Sequence, residues 1–188
     1  MTFKFKIPVL LAVLLLLLFC LGRLFWSEPT LAQVKDSHSE MEEQVFRDTA
    51  ASFALFKDLT GDVQYQRDSV YPVVLKAASQ QEAIQWLSQG FGEELARSLA
   101  SYYLAWDENL GRLVVIPEES IPILTTQDRT TTSVTFRNDR QARLECLYYN
   151  CYAPGDCWRY IIETEKSGDR WKIYDLTLEQ ASPGQEFK

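Results

Sequence analysis

Histidine is nearly missing from this 188-residue chain, with His38 as its single copy. Ser-His-Asp, Cys-His and His-ligated metal mechanisms each need an imidazole as base or ligand, so most hydrolase chemistries lose a required part. Cysteine is sparse as well. The four cysteines form no Cys-x-x-Cys spacing, which leaves a zinc site without ligands and gives no reason to expect a metal or a cofactor. Positive charge is also short, with 19 Lys and Arg against 26 Asp and Glu and a net charge of -7. Residues 1–32 carry Lys4, Lys6, Arg23 and Glu28, so without them the formal charge moves from -7 to -9. Nucleic acid and anionic lipid surfaces both demand clustered cations, and neither is an expected partner; basic or neutral partners fit better. No phosphate-cradling glycine loop, dinucleotide fingerprint or internal repeat is present.

What the chain has in excess stands at its start. Lys4 and Lys6 precede an almost unbroken apolar run from Ile7 to Trp26. At 1.5 Å per residue this run reaches roughly 30 Å, enough to cross a bilayer. The two lysines stay on the cytoplasmic side under the positive-inside rule, so the remainder is delivered outward. The small residues Thr30 and Ala32 before Gln33 suit a signal peptidase, and residues 1–32 are therefore read as a signal anchor or a signal peptide. The bulky Phe19 before Cys20 argues against lipid attachment. The expected protein is membrane-anchored or secreted, on the extracytoplasmic side, touching the membrane only through this segment.

Beyond it lie about 155 residues, a length that suits one domain. The sequence divides into a polar tether at 33–41, a single α+β domain at 42–180 and a tail at 181–188. Val45, Phe46, Thr49, Phe53, Phe56 and Leu59 recur at helical spacing and predict a helix from about Glu40 to Leu59, stopped by Gly61. Asp62 to Lys76, which contains Pro72, reads as extended or irregular. Ser79-Gln80-Gln81-Glu82 is a capping box for a short helix closed by Gly90. A second helix is expected over Gly92 to Ala105, with Leu95, Leu99, Tyr102, Tyr103 and Trp106 as its apolar stripe.

From Leu113 the pattern is that of strands. Leu113–Ile116 is apolar on both faces. Thr132/Val134/Phe136, Leu144/Cys146/Tyr148 and Trp158/Tyr160/Ile162 then alternate with polar neighbours such as Arg143, Glu145, Arg159 and Glu163. The breaks at Asn138-Asp139, Ala153-Pro154-Gly155-Asp156 and Ser167-Gly168-Asp169 are short enough for antiparallel hairpins, and a last strand runs from Trp171 to Leu178. The predicted architecture is α+β: N-terminal helices covering the apolar face of a curved antiparallel sheet.

In an oxidising compartment a disulfide is the first expectation for Cys146, Cys151 and Cys157. Alternation turns Cys146 inward as a structural thiol and places Cys151 and Cys157 outward at the ends of one hairpin, so these two form the expected pair. Closing so short a loop contributes about 2 kcal/mol and pins the turn rather than the fold. No catalytic residue is assigned. Glu118, Glu119 and Asp128 are the nearest candidates for carboxylate chemistry, but Glu118-Glu119 after Pro117 also has the composition of a solvated turn. The late aromatics Tyr148, Tyr149, Tyr152, Trp158, Tyr160, Trp171 and Tyr174 either fill a core or line a cavity. Tyr149 and Tyr152, facing outward beside the hairpin, serve either cross-strand packing or contact with another protein; with Glu118 and Glu119 they are the candidate interaction residues.

The segments Ala78-Ser79-Gln80-Gln81-Glu82-Ala83-Ile84-Gln85-Trp86-Leu87, Phe91-Gly92-Glu93-Glu94-Leu95-Ala96 and Leu110-Gly111-Arg112-Leu113-Val114-Val115-Ile116-Pro117 resemble the bacterial inhibitor family of cell-wall DL-endopeptidases. Gly168-Asp169-Arg170-Trp171-Lys172-Ile173 is similar to the final hairpin of that family and, more broadly, of nuclear transport factor 2-like and cystatin-like domains. The likeness covers roughly Tyr65 to Leu178. It implies a cone-shaped, non-enzymatic exported module that regulates a cell-envelope protein such as a wall hydrolase. The alternative is a small-ligand-binding or enzymatic cone of the nuclear transport factor 2-like type.

Overall fold

The computed structural model describes residues 31–67, 69–118 and 121–181, with side chains from His38 onward. The apolar run Ile7–Trp26, expected to target the membrane, lies outside the described residues, as do Cys20, Glu119 and most of the tail. Among the described residues no helix is long and apolar enough to cross a membrane. The chain divides into two compact units, Met1–Ser39 and Glu40–Lys188.

Helix α1 spans Leu31–Gly61 and so begins well before the expected Glu40, through residues read as a tether. The apolar stripe that marks a helix in sequence starts only at Val45, yet no proline or glycine interrupts Leu31 to Thr60. Its buried face carries Val45, Phe46, Phe53, Phe56 and Leu59. Thr49 and Ser52 are buried on the same face because their hydroxyls donate back to the Val45 and Asp48 carbonyls, at 2.7 and 2.8 Å.

The irregular passage after α1 yields two short strands, β1 (Val63–Gln64) and β2 (Val73–Val74). Helix α2 (Gln80–Leu87) opens as expected, with Ser79 Oγ accepting from the Glu82 amide at 3.2 Å. The Glu82 carboxylate reaches one residue further back than a capping box requires, accepting from the Ala78 amide at 2.9 Å. Helix α3 (Glu93–Tyr103) is shorter than predicted and runs directly into β3 (Leu104–Asp107). The side-chain period therefore changes from 3.6 to 2 at Tyr103. Trp106, assigned to the apolar stripe, is 46% exposed on that strand, and Tyr102 is 51% exposed. The face that α3 buries is Ala96, Leu99, Ala100 and Tyr103.

Two antiparallel sheets follow. β4 (Arg112–Val115) does not open the meander expected of it; it pairs with β2 and β3 in a sheet ordered β1-β2-β4-β3. The meander consists of β5 (Thr132–Asn138), β6 (Gln141–Tyr149), β7 (Cys157–Ser167) and β8 (Arg170–Gln180), in that order. Ala142, Leu144 and Cys146 of β6, Tyr160 and Ile162 of β7, and Trp171 and Ile173 of β8 pack with Phe53, Leu87, Phe91 and Leu99 of the helical side. The Phe53 ring lies 6.1 Å from Phe91 and 6.0 Å from Tyr160. The fold is thus α+β, as the order of periodicities predicts.

The opposite face of the meander is less wet than its polar residues suggest. Ile161 and Glu163 are 9% and 7% exposed. Glu163 Oε1 accepts from Arg137 Nη2 at 2.6 Å and from Arg143 Nε at 2.8 Å, so two guanidinium groups from neighbouring strands cover it.

Candidate functional site

The end of α3, the loop after β4 and the hairpin between β6 and β7 converge on one cleft of about 470 Å3. Leu95, Ser98, Leu99, Tyr102 and Tyr103 form its α3 wall, Ile121 and Pro122 its loop wall, and Tyr152 its hairpin wall. Tyr160, Leu176 and Leu178 form the floor from β7 and β8. Tyr102 and Tyr103 meet edge to face with centroids 4.9 Å apart, and Phe56 braces Tyr103 from behind at 5.0 Å. The described lining contains no carboxylate, amine, imidazole or thiol. Such a surface holds an apolar group and offers tyrosine hydroxyls to it; it has no proton donor or acceptor poised near neutral pH.

Burial holds the Tyr103 phenol above its ordinary pKa against a lowering hydrogen bond with the Ile121 backbone, and Tyr102, Tyr152 and Glu118 add to the upward shift. Of the residues singled out in sequence, Tyr152 is part of this cleft, while Glu118 is exposed on the loop after β4 and outside its lining. Tyr149 is outside it as well: it is 58% exposed and follows the inward-facing Tyr148 on β6, so it points away from the cleft. Glu119 lies outside the described residues. Asp128 has a local role, with Oδ2 accepting from the Thr125 amide at 2.7 Å to cap a 3-10 turn over Thr126–Thr131. Tyr102, Tyr103 and Tyr160 were legible as apolar positions but not as one wall, because the cleft joins segments distant in sequence.

The expected bond between Cys151 and Cys157 is not formed. Cys146, Cys151 and Cys157 are all free thiols, with Cys151 exposed and Cys157 buried. The register explains the difference: Cys157 pairs across the strands with Tyr149, leaving Cys151 two residues further out in the loop. Cys146 is buried as predicted, and the loss of water around it pushes its thiol up to about 12. The loop is closed instead by Asp156. Its carboxylate accepts from the Cys151, Tyr152 and Ala153 amides at 2.8–2.9 Å and from Trp158 Nε1 at 2.9 Å. The Asn150 side chain accepts from the Gly155 amide at 2.7 Å, and Asn150 itself adopts φ of 58°. Tyr152 is in turn held against the Trp158 ring, with centroids 5.2 Å apart.

Partial desolvation raises the Asp156 pKa, but the Trp158 indole and the three amides outweigh it and the net shift is downward. A carboxylate with a lowered folded pKa stabilises its loop above the unfolded value and loses that contribution as pH falls through the folded one. The amide signals of Cys151, Tyr152 and Ala153 should therefore stay constant from pH 7 to about 4, the ordinary aspartate value, and move together only below it. A transition at or above the ordinary value, or one confined to a single amide, would contradict this closure.

A larger polar groove of about 800 Å3 lies between α2 and the β7–β8 hairpin, where Gln81, Gln85, Arg140, Lys166, Lys172 and Tyr174 are among the lining residues. Lys172 Nζ already donates to the Ser88 carbonyl at 2.6 Å, and Arg140 donates to the Lys166 carbonyl at 3.4 Å. Its cations are in part committed and Glu93 and Glu165 balance them, so the aromatic cleft is the more selective surface. Among the described residues no cluster of three His, Cys, Asp or Glu side chains forms a metal cage.

No family model and no curated protein matches the chain.

Proposed function

We propose that the protein is a non-enzymatic, extracytoplasmic interaction module, delivered by its N-terminal membrane-targeting segment, whose contact surface is the rim of the aromatic cleft. In this reading the α+β body is a cone of the nuclear transport factor 2-like type, and the partner is a cell-envelope protein such as a wall hydrolase. The observation that carries the proposal is that two half-exposed tyrosines, Tyr102 and Tyr152, line one apolar cleft. Exposed aromatics around a desolvated pocket are the composition of binding hot spots. The surplus negative charge favours a basic or neutral partner. The cleft lining supports binding rather than turnover, since its described polar groups are the hydroxyls of Ser98 and the tyrosines, with no carboxylate, amine or imidazole beside them to act as a base.

Full-length protein cross-linked in intact cells and purified through an affinity tag should carry an envelope hydrolase. Tyr152→Asp should reduce its recovery at least tenfold, as expected for a hot-spot aromatic, without changing the melting temperature. Recovery that survives Tyr152→Asp, or the capture of no envelope protein under several conditions, would sink the proposal.

A further inference from the structure

The polar groove between α2 and the β7–β8 hairpin has a chemistry of its own. Gln81 and Gln85 stand one turn apart on the exposed side of α2, and Gln89 follows just past its end. Among the described residues no hydrogen bond engages any of these three amides. The facing wall includes Tyr174 of β8, which is half-buried and whose ring stacks on no other among the described residues. Three cations, Arg140, Lys166 and Lys172, share the lining with two carboxylates, Glu93 and Glu165, so the charges nearly cancel. Two of these five are already engaged, Lys172 with the Ser88 carbonyl at 2.6 Å and Glu93 with Arg97 at 2.8 Å.

We propose that this groove binds an uncharged oligosaccharide, with Gln81, Gln85 and Gln89 bonding its hydroxyls and the Tyr174 ring packed under one sugar face. A primary amide presents donors and an acceptor in one plane, which suits hydroxyl groups that are donor and acceptor at once. The C–H face of a sugar ring is complementary to the negative face of an aromatic ring. The volume of about 800 Å3 lies within the range of small-molecule sites. Other ligand classes fit less well. An apolar body would cover the amides without giving them partners, which is costly. An anion would meet carboxylates set among the cations, one of which is spent on a carbonyl. An extended peptide would need a free strand edge, but at this wall the Ile173 amide donates to the Gly90 carbonyl at 3.0 Å and its carbonyl accepts from the Gly92 amide at 2.7 Å. The groove shares no lining residue with the aromatic cleft, so this site stands apart from partner binding.

Four trisaccharides separate the terms: cellotriose and chitotriose are neutral, the glucosamine trimer is cationic and trigalacturonate is anionic. Binding is measured by saturation-transfer difference NMR titration of full-length protein in lipid nanodiscs, with matched empty nanodiscs subtracted. At least one neutral trimer should bind saturably, and more tightly than either charged one. Replacing Gln81 and Gln85 together with alanine should weaken it about tenfold, the loss expected when one or two hydrogen bonds go. Both positions are exposed on a helix that alanine favours, so folding is kept. Tyr174→Leu should weaken it about fivefold by removing the ring face. Tyr152→Asp, in the aromatic cleft, should leave it within about twofold, so the two sites succeed or fail separately. The proposal is overturned if neither neutral trimer binds saturably, if a charged trimer binds as tightly, if the double glutamine variant or Tyr174→Leu binds like the parent, or if Tyr152→Asp abolishes binding.

Discussion

Replacing Arg137 and Arg143 together with methionine is expected to lower the free energy of unfolding by about 3–5 kcal/mol, the cost of leaving a buried carboxylate without its partners. Glu163 is 7% exposed, and its Oε1 collects the donors of both guanidinium groups while Oε2 has none. The arginines themselves are 47% and 34% exposed at their side chains and lose little by themselves, so the penalty falls on the acid. Each single variant should cost much less than half of the double. Arg143 alone still offers two nitrogens to Oε1, at 2.8 and 2.6 Å, and Arg137 alone offers one at 2.6 Å. Such coupling is expected of residues that share one partner. Adding Glu163→Leu to the double variant should restore most of the loss, because a well-packed apolar group replaces an ion cluster at little net cost. Urea unfolding followed by tryptophan fluorescence measures all four. A double variant within about 1 kcal/mol of the parent would show that water, not arginine, satisfies Glu163.

The same cluster shows where sequence reading stops. Alternation correctly placed Arg143, Arg159 and Glu163 on the polar side of their strands, but exposure does not follow from polarity. The antiparallel register sets Arg143 directly opposite Glu163, and Arg137 arrives from the next strand, so two partly exposed arginines bury one carboxylate. Nothing within a single strand encodes that register. Local chemistry was legible: the Ser79 cap, the hairpin at Gly168 with its φ of 63°, and the inward Leu144 and Cys146 all depend on near neighbours. The start of α1 was missed because its first turns carry no apolar stripe. Trp106 was misplaced because the chain changes period between Tyr103 and Leu104. Tyr152 could be singled out from its place beside a turn, and it lines the cleft. The cleft it borders was not, since Leu95, Tyr103, Tyr160 and Leu178 come from three elements that only tertiary packing brings together.

Gly90→Ala should destabilise the protein by about 2–3 kcal/mol, the upper part of the range for overpacking a filled interior. In sequence this glycine reads as the stop of α2, yet its backbone lies outside the left-handed region that would require glycine for a turn. The requirement is space. A β-carbon at Gly90 would meet Ser52 Oγ at 2.5 Å, Ser52 Cβ at 2.7 Å and Ser52 Cα at 2.8 Å, the last being main chain of α1. On its other side Gly90 is fixed to β8, its carbonyl accepting from the Ile173 amide at 3.0 Å, and the Gly92 amide donates to the Ile173 carbonyl at 2.7 Å. The residue is therefore clamped between helix and sheet, and a methyl group must push α1 away from β8 or break that bridge. Asp48, whose carboxylate accepts from the Trp171 amide at 3.0 Å, lies one turn before Ser52 and would be carried along. Ser52→Ala removes the hydroxyl but leaves the β-carbon and the main chain where they stand, so it should not rescue Gly90→Ala. Ser52→Gly removes the whole side chain, leaves only the main chain in the way, and should rescue it in part. Thermal and urea unfolding of these variants decide the matter: full rescue by Ser52→Ala would assign the effect to the hydroxyl alone, and a loss below about 0.5 kcal/mol for Gly90→Ala would mean that α1 is not held as closely to β8 as the Ser52 distances require.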